Sequence, residues 1–234
     1  CEELGIFRQV AHPLGDLLGV PDGEAVFLSY FRNNVLHVFI LPALIACVVQ
    51  TNHSLLQSEL VELALGLYPY LQAELFLCWS TDEIPARIQA LLPVLAEAGL
   101  IEVDGRRVSA VDSHTRQYRQ LTLLAACARP VLERYYITLC VLARAGSGRM
   151  QAAQLAESCS LLAQRLTLLY EGNAPDFFDP VSFRQFIATL QALDLVQADT
   201  EGRLVFGSSL TASARAADLV LHADTLAAIR QLTG

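Results

Sequence analysis

Charge is scarce in this sequence, and so are the residue patterns that usually carry chemistry. Only 17% of the 234 residues are charged, and there are five histidines, one methionine and one tryptophan. No C-x-x-C pair occurs among Cys1, Cys47, Cys78, Cys127, Cys140 and Cys159, which excludes a thiol redox motif or zinc knuckle of that spacing. A glycine-rich phosphate cradle, G-x-S-x-G and H-E-x-x-H are all missing. No metal site and no cofactor is expected. There is no basic block, and the formal net charge is −8. That field repels phosphate backbones, so nucleic acid is not an expected partner. The chain opens at Cys1 without a targeting signal, and the expectation is a fragment of a longer protein.

Aliphatic residues are what the chain has in quantity. The hydrophobic fraction is 53% and the mean hydropathy +0.40. Leu, Ala and Val dominate, which suits helices packed on helices. The excess of apolar surface points to faces that meet a partner domain or a membrane. Most of the cysteines lie in apolar helical stretches and read as buried free thiols, which favours a reduced compartment.

Punctuation residues divide the chain. Residues 1–24 read as a loop-rich lead-in, marked by Pro13, Gly15, Gly19, Pro21 and Gly23. Ala25–Tyr30 reads as a short strand or the start of a helix. Val35–Val49 is the most apolar run; as a helix of roughly 22 Å it falls short of spanning a bilayer and is read as buried or interfacial. Helix continues over Asn52–Trp79, with a capping box at Ser54 and Gln57 and a kink or break at Pro69. Ser80 and Glu83 form a second box, and Gly99 ends the helix that follows. A hairpin then turns through Asp104-Gly105 as type I′.

Two long helices are predicted over Ser113–Ala145, with a break at Pro130, and Met150–Leu169. A further helix over Val181–Leu193 leads into a second hairpin, and one alanine-rich helix fills Ser208–Leu232. The stretches Leu95–Val108 and Leu190–Val205 echo each other as helix end, strand, acidic turn, strand. Both resemble the wing of a winged-helix unit. The predicted class is mainly α, a helical domain with two small β-hairpins in winged-helix-like units. The predicted divisions are 1–24, a helical unit over 25–111, and a second over 112–234.

Few side chains invite a chemical reading. His12 and Asp16 could pair as base and orienter, but they lie in a Pro/Gly-rich loop with no nucleophile at hand. Arg106, Arg107 and Arg203 on the wings are too few to neutralise several phosphates. The most informative string is Tyr30-Phe31-Arg32-Asn33-Asn34. The asparagines are good N-cap residues for the apolar helix after them. Arg32 is a permanent cation beside that helix, suited to an anion or to a carboxylate of a neighbouring domain.

That string, with Leu41-Pro42-Ala43-Leu44-Ile45-Ala46 after it, resembles the carboxy-terminal region of the bacterial membrane-bound glycerol-3-phosphate 1-O-acyltransferases. Further matches follow in order: Leu67-Tyr68-Pro69, Ala73-Glu74-Leu75-Phe76-Leu77 with Trp79, Gly99-Leu100-Ile101, Ala163-Gln164-Arg165-Leu166, and Asn173-Ala174-Pro175 with Phe177-Phe178-Asp179. The resemblance covers about Ala25 to Phe206. It implies an enzyme that moves an acyl chain from acyl carrier protein or acyl coenzyme A to sn-glycerol 3-phosphate, the first step of phospholipid synthesis, at the cytoplasmic face of the bacterial inner membrane. The family's catalytic motif is His-x-x-x-x-Asp. The residues five places after each histidine here are Leu17, Pro42, Ser58, Arg119 and Ala227. None is Asp, so no catalytic residue carries over.

The resulting expectation is a non-catalytic region that braces an upstream acyltransferase domain and meets the membrane surface. Arg32, Asn33 and Asn34 are its candidate contacts with substrate or the neighbouring domain. The alternative expectation is a winged-helix interaction or regulatory module with no enzymatic parent.

Overall fold

The computed structural model of the chain describes residues 8–11, 13, 15, 17–169, 179–221 and 223–232. Helices dominate, and small antiparallel hairpins punctuate them, in agreement with the class expected from periodicity. The lead-in holds more structure than its punctuation suggests. Strands β1 (Arg8–Val10) and β2 (Leu17–Gly19) pair antiparallel, and α1 (Asp22–Asn52) begins immediately after.

Two long helices form the centre. α1 and α4 (Arg116–Ala145) pack along one another more extensively than any other pair of elements. From Val131 to Leu139 every residue of α4 is buried, the signature of a helix enclosed on all sides. Pro42 lies inside α1, Pro69 inside α2 (Gln57–Leu75) and Pro130 inside α4, and none of these helices breaks. Pro69, read as a kink or break, does not break its helix, and neither does Pro130, for an energetic reason. An interior proline costs about 3 kcal/mol, whereas each fully buried aliphatic side chain contributes about 1.5–3 kcal/mol, and these helices bury many.

Around the central pair the same order of elements occurs twice. α1 is followed by β3 (Ser54–Leu56), α2, α3 (Ile84–Glu97), β4 (Ile101–Asp104) and β5 (Arg107–Ala110). β3 and β4 both pair with β5. α4 is followed by an isolated bridge of Gln151 with Arg203, then α5 (Ala152–Leu169), α6 (Pro180–Ala192), β6 (Val196–Ala198) and β7 (Leu204–Phe206). The N–H groups of Gly148 and Leu204 extend that bridge, each donating at 2.8 Å to the carbonyls of Leu204 and Met150. Helix, short strand, two helices and a wing is the winged-helix order. The dozen-residue echo in the sequence is thus the end of a repeat running from each long helix to each wing. A ring cluster ties the halves: Tyr135 of α4 stacks on Phe186 of α6 at 4.2 Å, and Tyr70 of α2 meets both edge-on at 5.8 and 5.6 Å.

Local details differ from expectation in instructive ways. Ser54 pairs with Ser109 in the sheet, so the helix starts later. There the Leu56 N–H donates to Glu59 Oε2 at 2.7 Å. The capping function has moved two residues because the strand claimed Ser54. At Ser80 the predicted box forms, the backbone N–H donating to Glu83 Oε2 at 2.8 Å. In the first hairpin Asp104 pairs with Arg107, which leaves Gly105-Arg106 as the turn. Only Gly105 has positive φ, +55°. Type I′ needs positive φ at both central residues, so the turn is of the kind that places glycine first. The alanine-rich tail is three helices, α7 (Ser208–Arg215), α8 (Ala217–Val220) and α9 (Ala223–Leu232). They pack on α4, α1 and α5 respectively, and one straight rod cannot follow three differently placed partners.

Candidate functional site

The only sequence-derived site residues lie on α1, and their surroundings differ along its length. Val35, Val38 and Phe39 are exposed, as is Phe31. At helical spacing these four share one face. Leu36 is buried on the other side, and from Ile40 to Gln50 the helix is enclosed, Pro42 alone being half-buried. Val35–Val49 is therefore not uniformly hidden, as its composition suggested. Its first turns present an apolar stripe to solvent, because α4 and its neighbours cover only the later part. Asn34–Asn52 has the length and apolar character to cross a membrane (mean hydropathy 1.9), and 61% of that window is buried inside the protein. The length argument made from the sequence is thereby overtaken: burial against α4 marks its later half as a core helix.

Arg32, Asn33 and Asn34 sit within α1, ten residues or more past its first residue, Asp22. They are not N-caps. The helix begins upstream of them, at Asp22, so no free amide end remains there to cap. Asn34 is exposed. The side chains of Arg32 and Asn33 lie outside the described residues, as do His12, Asp16 and 170–178. Of the last sequence match, Asp179 is described, and its carboxylate accepts the Val181 N–H at 2.9 Å to start α6.

Sequence reading missed two internal polar clusters. In the first, Glu74 of α2 accepts from the Arg134 guanidinium with one carboxylate oxygen and from the Tyr135 hydroxyl, at 2.6 Å, with the other. Burial, followed by the neighbouring Glu74 charge, holds the Tyr135 hydroxyl well above its ordinary value, so it acts as a permanent donor. In the second, Arg129 donates to Gln50 Oε1 at 2.8 Å, and Gln50 Nε2 donates to Thr122 Oγ1 at 2.8 Å. Glu133 lies a turn along α4, 5% exposed. Desolvation pushes its carboxyl up to about 7, against the pull of Arg129 and a hydrogen bond with Thr225 of α9. A single ionisable residue inside an apolar run, as in Ala73-Glu74-Leu75 or Leu132-Glu133-Arg134, was the available signal. Its partner is 60 residues away in the first case and cannot be read from spacing.

These clusters clamp helices and offer no nucleophile activated by a base. His37, His53 and His114 are exposed, and the described residues contain no metal-binding group of three or more His, Cys, Asp or Glu. Burial raises the thiols of Cys47 and Cys159 to about 12, far from a reactive thiolate. Cys78 is exposed, contrary to the buried reading. On the second wing Arg203 is engaged by Asp199 and Glu201. The helices in the recognition position, α3 and α6, carry one arginine each, Arg87 and Arg184. A phosphate-tracking surface needs several free cations.

Residues 1–199 match the family model for the glycerol-3-phosphate acyltransferase C-terminal region. Over the whole chain, a protein from Xylella fastidiosa (strain M12) named glycerol-3-phosphate acyltransferase is 39% identical across 237 aligned positions, which cover 28% of that relative. A relative of the same name from Xanthomonas campestris is 40% identical, covering 94% of this chain and 25% of its own. One from Pseudomonas aeruginosa (strain UCBPP-PA14) is 40% identical, covering 99% and 28%. The chain thus spans about a quarter of the length of the curated relatives it matches.

Proposed function

Since the chain belongs to the glycerol-3-phosphate acyltransferase C-terminal family, we propose that it is the non-catalytic brace of such an enzyme. In this reading the remaining part of the enzyme transfers an acyl chain from acyl carrier protein or coenzyme A to sn-glycerol 3-phosphate. It does so at the cytoplasmic face of a bacterial inner membrane, for phospholipid synthesis. The single observation that carries the bracing role is the split character of α1. Its second half is locked into the core while Val35, Val38 and Phe39 face outward. A stripe of that kind is costly to leave in water, and a neighbouring domain that covers it is coupled directly to the most buried helix pair.

Asn34 is exposed beside that stripe, and Arg32 precedes it by two residues in sequence. A guanidinium beside apolar helix would meet a carboxylate of the neighbouring domain or the phosphate of the substrate. The winged order of elements supports a second reading, an interaction module with no enzymatic parent. It is the weaker one, since the relatives that this chain matches are named glycerol-3-phosphate acyltransferase, and a packing role inside such an enzyme uses the same topology.

The test follows thiol release from palmitoyl coenzyme A with and without glycerol 3-phosphate. The chain alone should release none, and the full-length enzyme should be active. Val38→Asp in the full-length enzyme should cut activity at least tenfold while leaving the isolated chain folded. Glycerol-3-phosphate-dependent release by the chain alone would sink the non-catalytic reading. Unchanged activity of the Val38 variant would sink the bracing interface.

A further inference from the structure

Two cavities adjoin along one side of α2. One of about 360 Å³ lies between α2, α4 and the C-terminal helices; the other, of about 510 Å³, opens beside β3 and β5. They share Glu62, Leu63 and Leu219, so together they form one groove. Its two ends differ in chemistry. The inner end is walled by Leu63, Leu67 and Leu139, with Tyr70, Tyr136 and Ser213 beside them. The outer end holds the exposed Arg107, Glu59 and Glu62 together with Ser54. Arg107 Nε donates to Ser54 Oγ at 3.2 Å, which sets the guanidinium at the rim.

Gly66 points to an occupant. It lies in the middle of α2, where glycine is the poorest residue short of proline. A Cβ built there would meet nothing within 4 Å, and its φ is not positive. Neither packing nor backbone geometry demands a glycine. Its effect is to leave an open lane along the helix, on the wall of the inner cavity. The inner cavity, with its mostly apolar lining and a few polar groups, has the size and character of a small-molecule site.

We propose that this groove binds a zwitterionic amphiphile with one acyl chain. The tail lies along Leu63, Gly66 and Leu67, and the headgroup sits at the outer end with its phosphate on Arg107 and its ammonium on Glu62. Charge complementarity selects that head. Glu59 is held by the Leu56 N–H at the start of α2, which leaves Arg107 and Glu62 as one cation and one anion for the head; a purely anionic head faces Glu62, and a purely cationic head faces Arg107. All sixteen basic residues of the chain are arginine, and the planar guanidinium fork suits a phosphate better than an ammonium point charge does. The inference stands on the groove alone and does not depend on the acyltransferase reading.

Calorimetric titration of the 234-residue chain with a twelve-carbon lysophosphatidylethanolamine, kept below its micelle concentration, tests it. Saturable one-to-one binding is expected. Gly66→Leu should weaken it at least tenfold without lowering the melting temperature, because the new side chain fills open space on a better helix former. Arg107→Gln should weaken it while leaving the affinity for an alkyl maltoside unchanged. A nitroxide placed on the tail should broaden the amide signals of Leu63 and Gly66 and spare those of Gly202, a readout that needs no variant. Absence of saturable binding, or a nitroxide that leaves Gly66 sharp, overturns the site. Equal affinity for dodecyl phosphate overturns the headgroup assignment.

Discussion

Glu133 places a buried carboxyl among groups of three helices: Cys47 of α1, Arg129 of its own helix α4, and Thr225 of α9. Burial raises its ionisation from 4.5 to about 7. Between those values the folded chain binds more protons than the unfolded one, so stability falls as pH rises. The contribution of neutral Glu133 is fully present below the unfolded value and is lost as pH passes through about 7. Its size is on the order of 3 kcal/mol. Glu133→Gln keeps the shape and a partner for Thr225 but cannot ionise. The variant should be more stable than the parent by about 3 kcal/mol at pH 8 and by less than about 1 kcal/mol at pH 5. Urea unfolding at the two pH values measures both, and a parent whose midpoint does not move between them would exclude the effect. Arg134 shows the other way a buried charge is held, paired with Glu74 while Tyr135 takes the second carboxylate oxygen.

Among the elements, α1 is the one whose two halves obey different rules. Ile40 is fully buried and Val38 is 58% exposed, two residues apart on the same helix. Ile40→Asp would put an unpaired carboxylate into the core and should cost more than about 4 kcal/mol, enough to unfold a marginal chain. Val38→Asp should change the stability of the isolated chain by less than about 0.5 kcal/mol. Denaturant midpoints of the two variants decide the point. Comparable destabilisation by both would mean that the stripe is covered within the chain itself. The length of α1 was not legible beforehand, because Pro21 and Gly23 read as punctuation and Ala25–Tyr30 suits a strand as well as a helix. Ser54 was misread for a related reason: a serine is equally good as an N-cap and as a strand residue, and its partner Ser109 lies 55 positions away.

At the scale of the molecule the two winged units share one core. The pairing of α1 with α4, the ring cluster of Tyr70, Tyr135 and Phe186, and the seating of α7, α8 and α9 on three different helices all cross between them. Such units are not expected to melt independently. The sole tryptophan, Trp79, lies under the Arg87 guanidinium at 4.3 Å and reports on the first unit. Its fluorescence and the far-ultraviolet circular dichroism of the whole chain should trace a single coincident urea transition. Separate midpoints would show two cooperative blocks instead.

The sequence by itself determined the mainly helical class, both wing hairpins, the Ser80 box and the stop at Gly99, since each rests on local periodicity, capping chemistry or a glycine requirement within a few residues. Its ordered motifs also carried the family. Tertiary structure decided the rest. Prolines 69 and 130 stayed inside helices because burial outweighs a lost hydrogen bond, and the tail bent into three helices to reach three partners. Arg32, Asn33 and Asn34 became mid-helix residues because the helix extends upstream of them. The repeat, the Glu74–Arg134 pair and the groove along α2 join residues dozens of positions apart. Spacing along a chain specifies which side chains share a face of one element, and only the packing of elements specifies which faces meet.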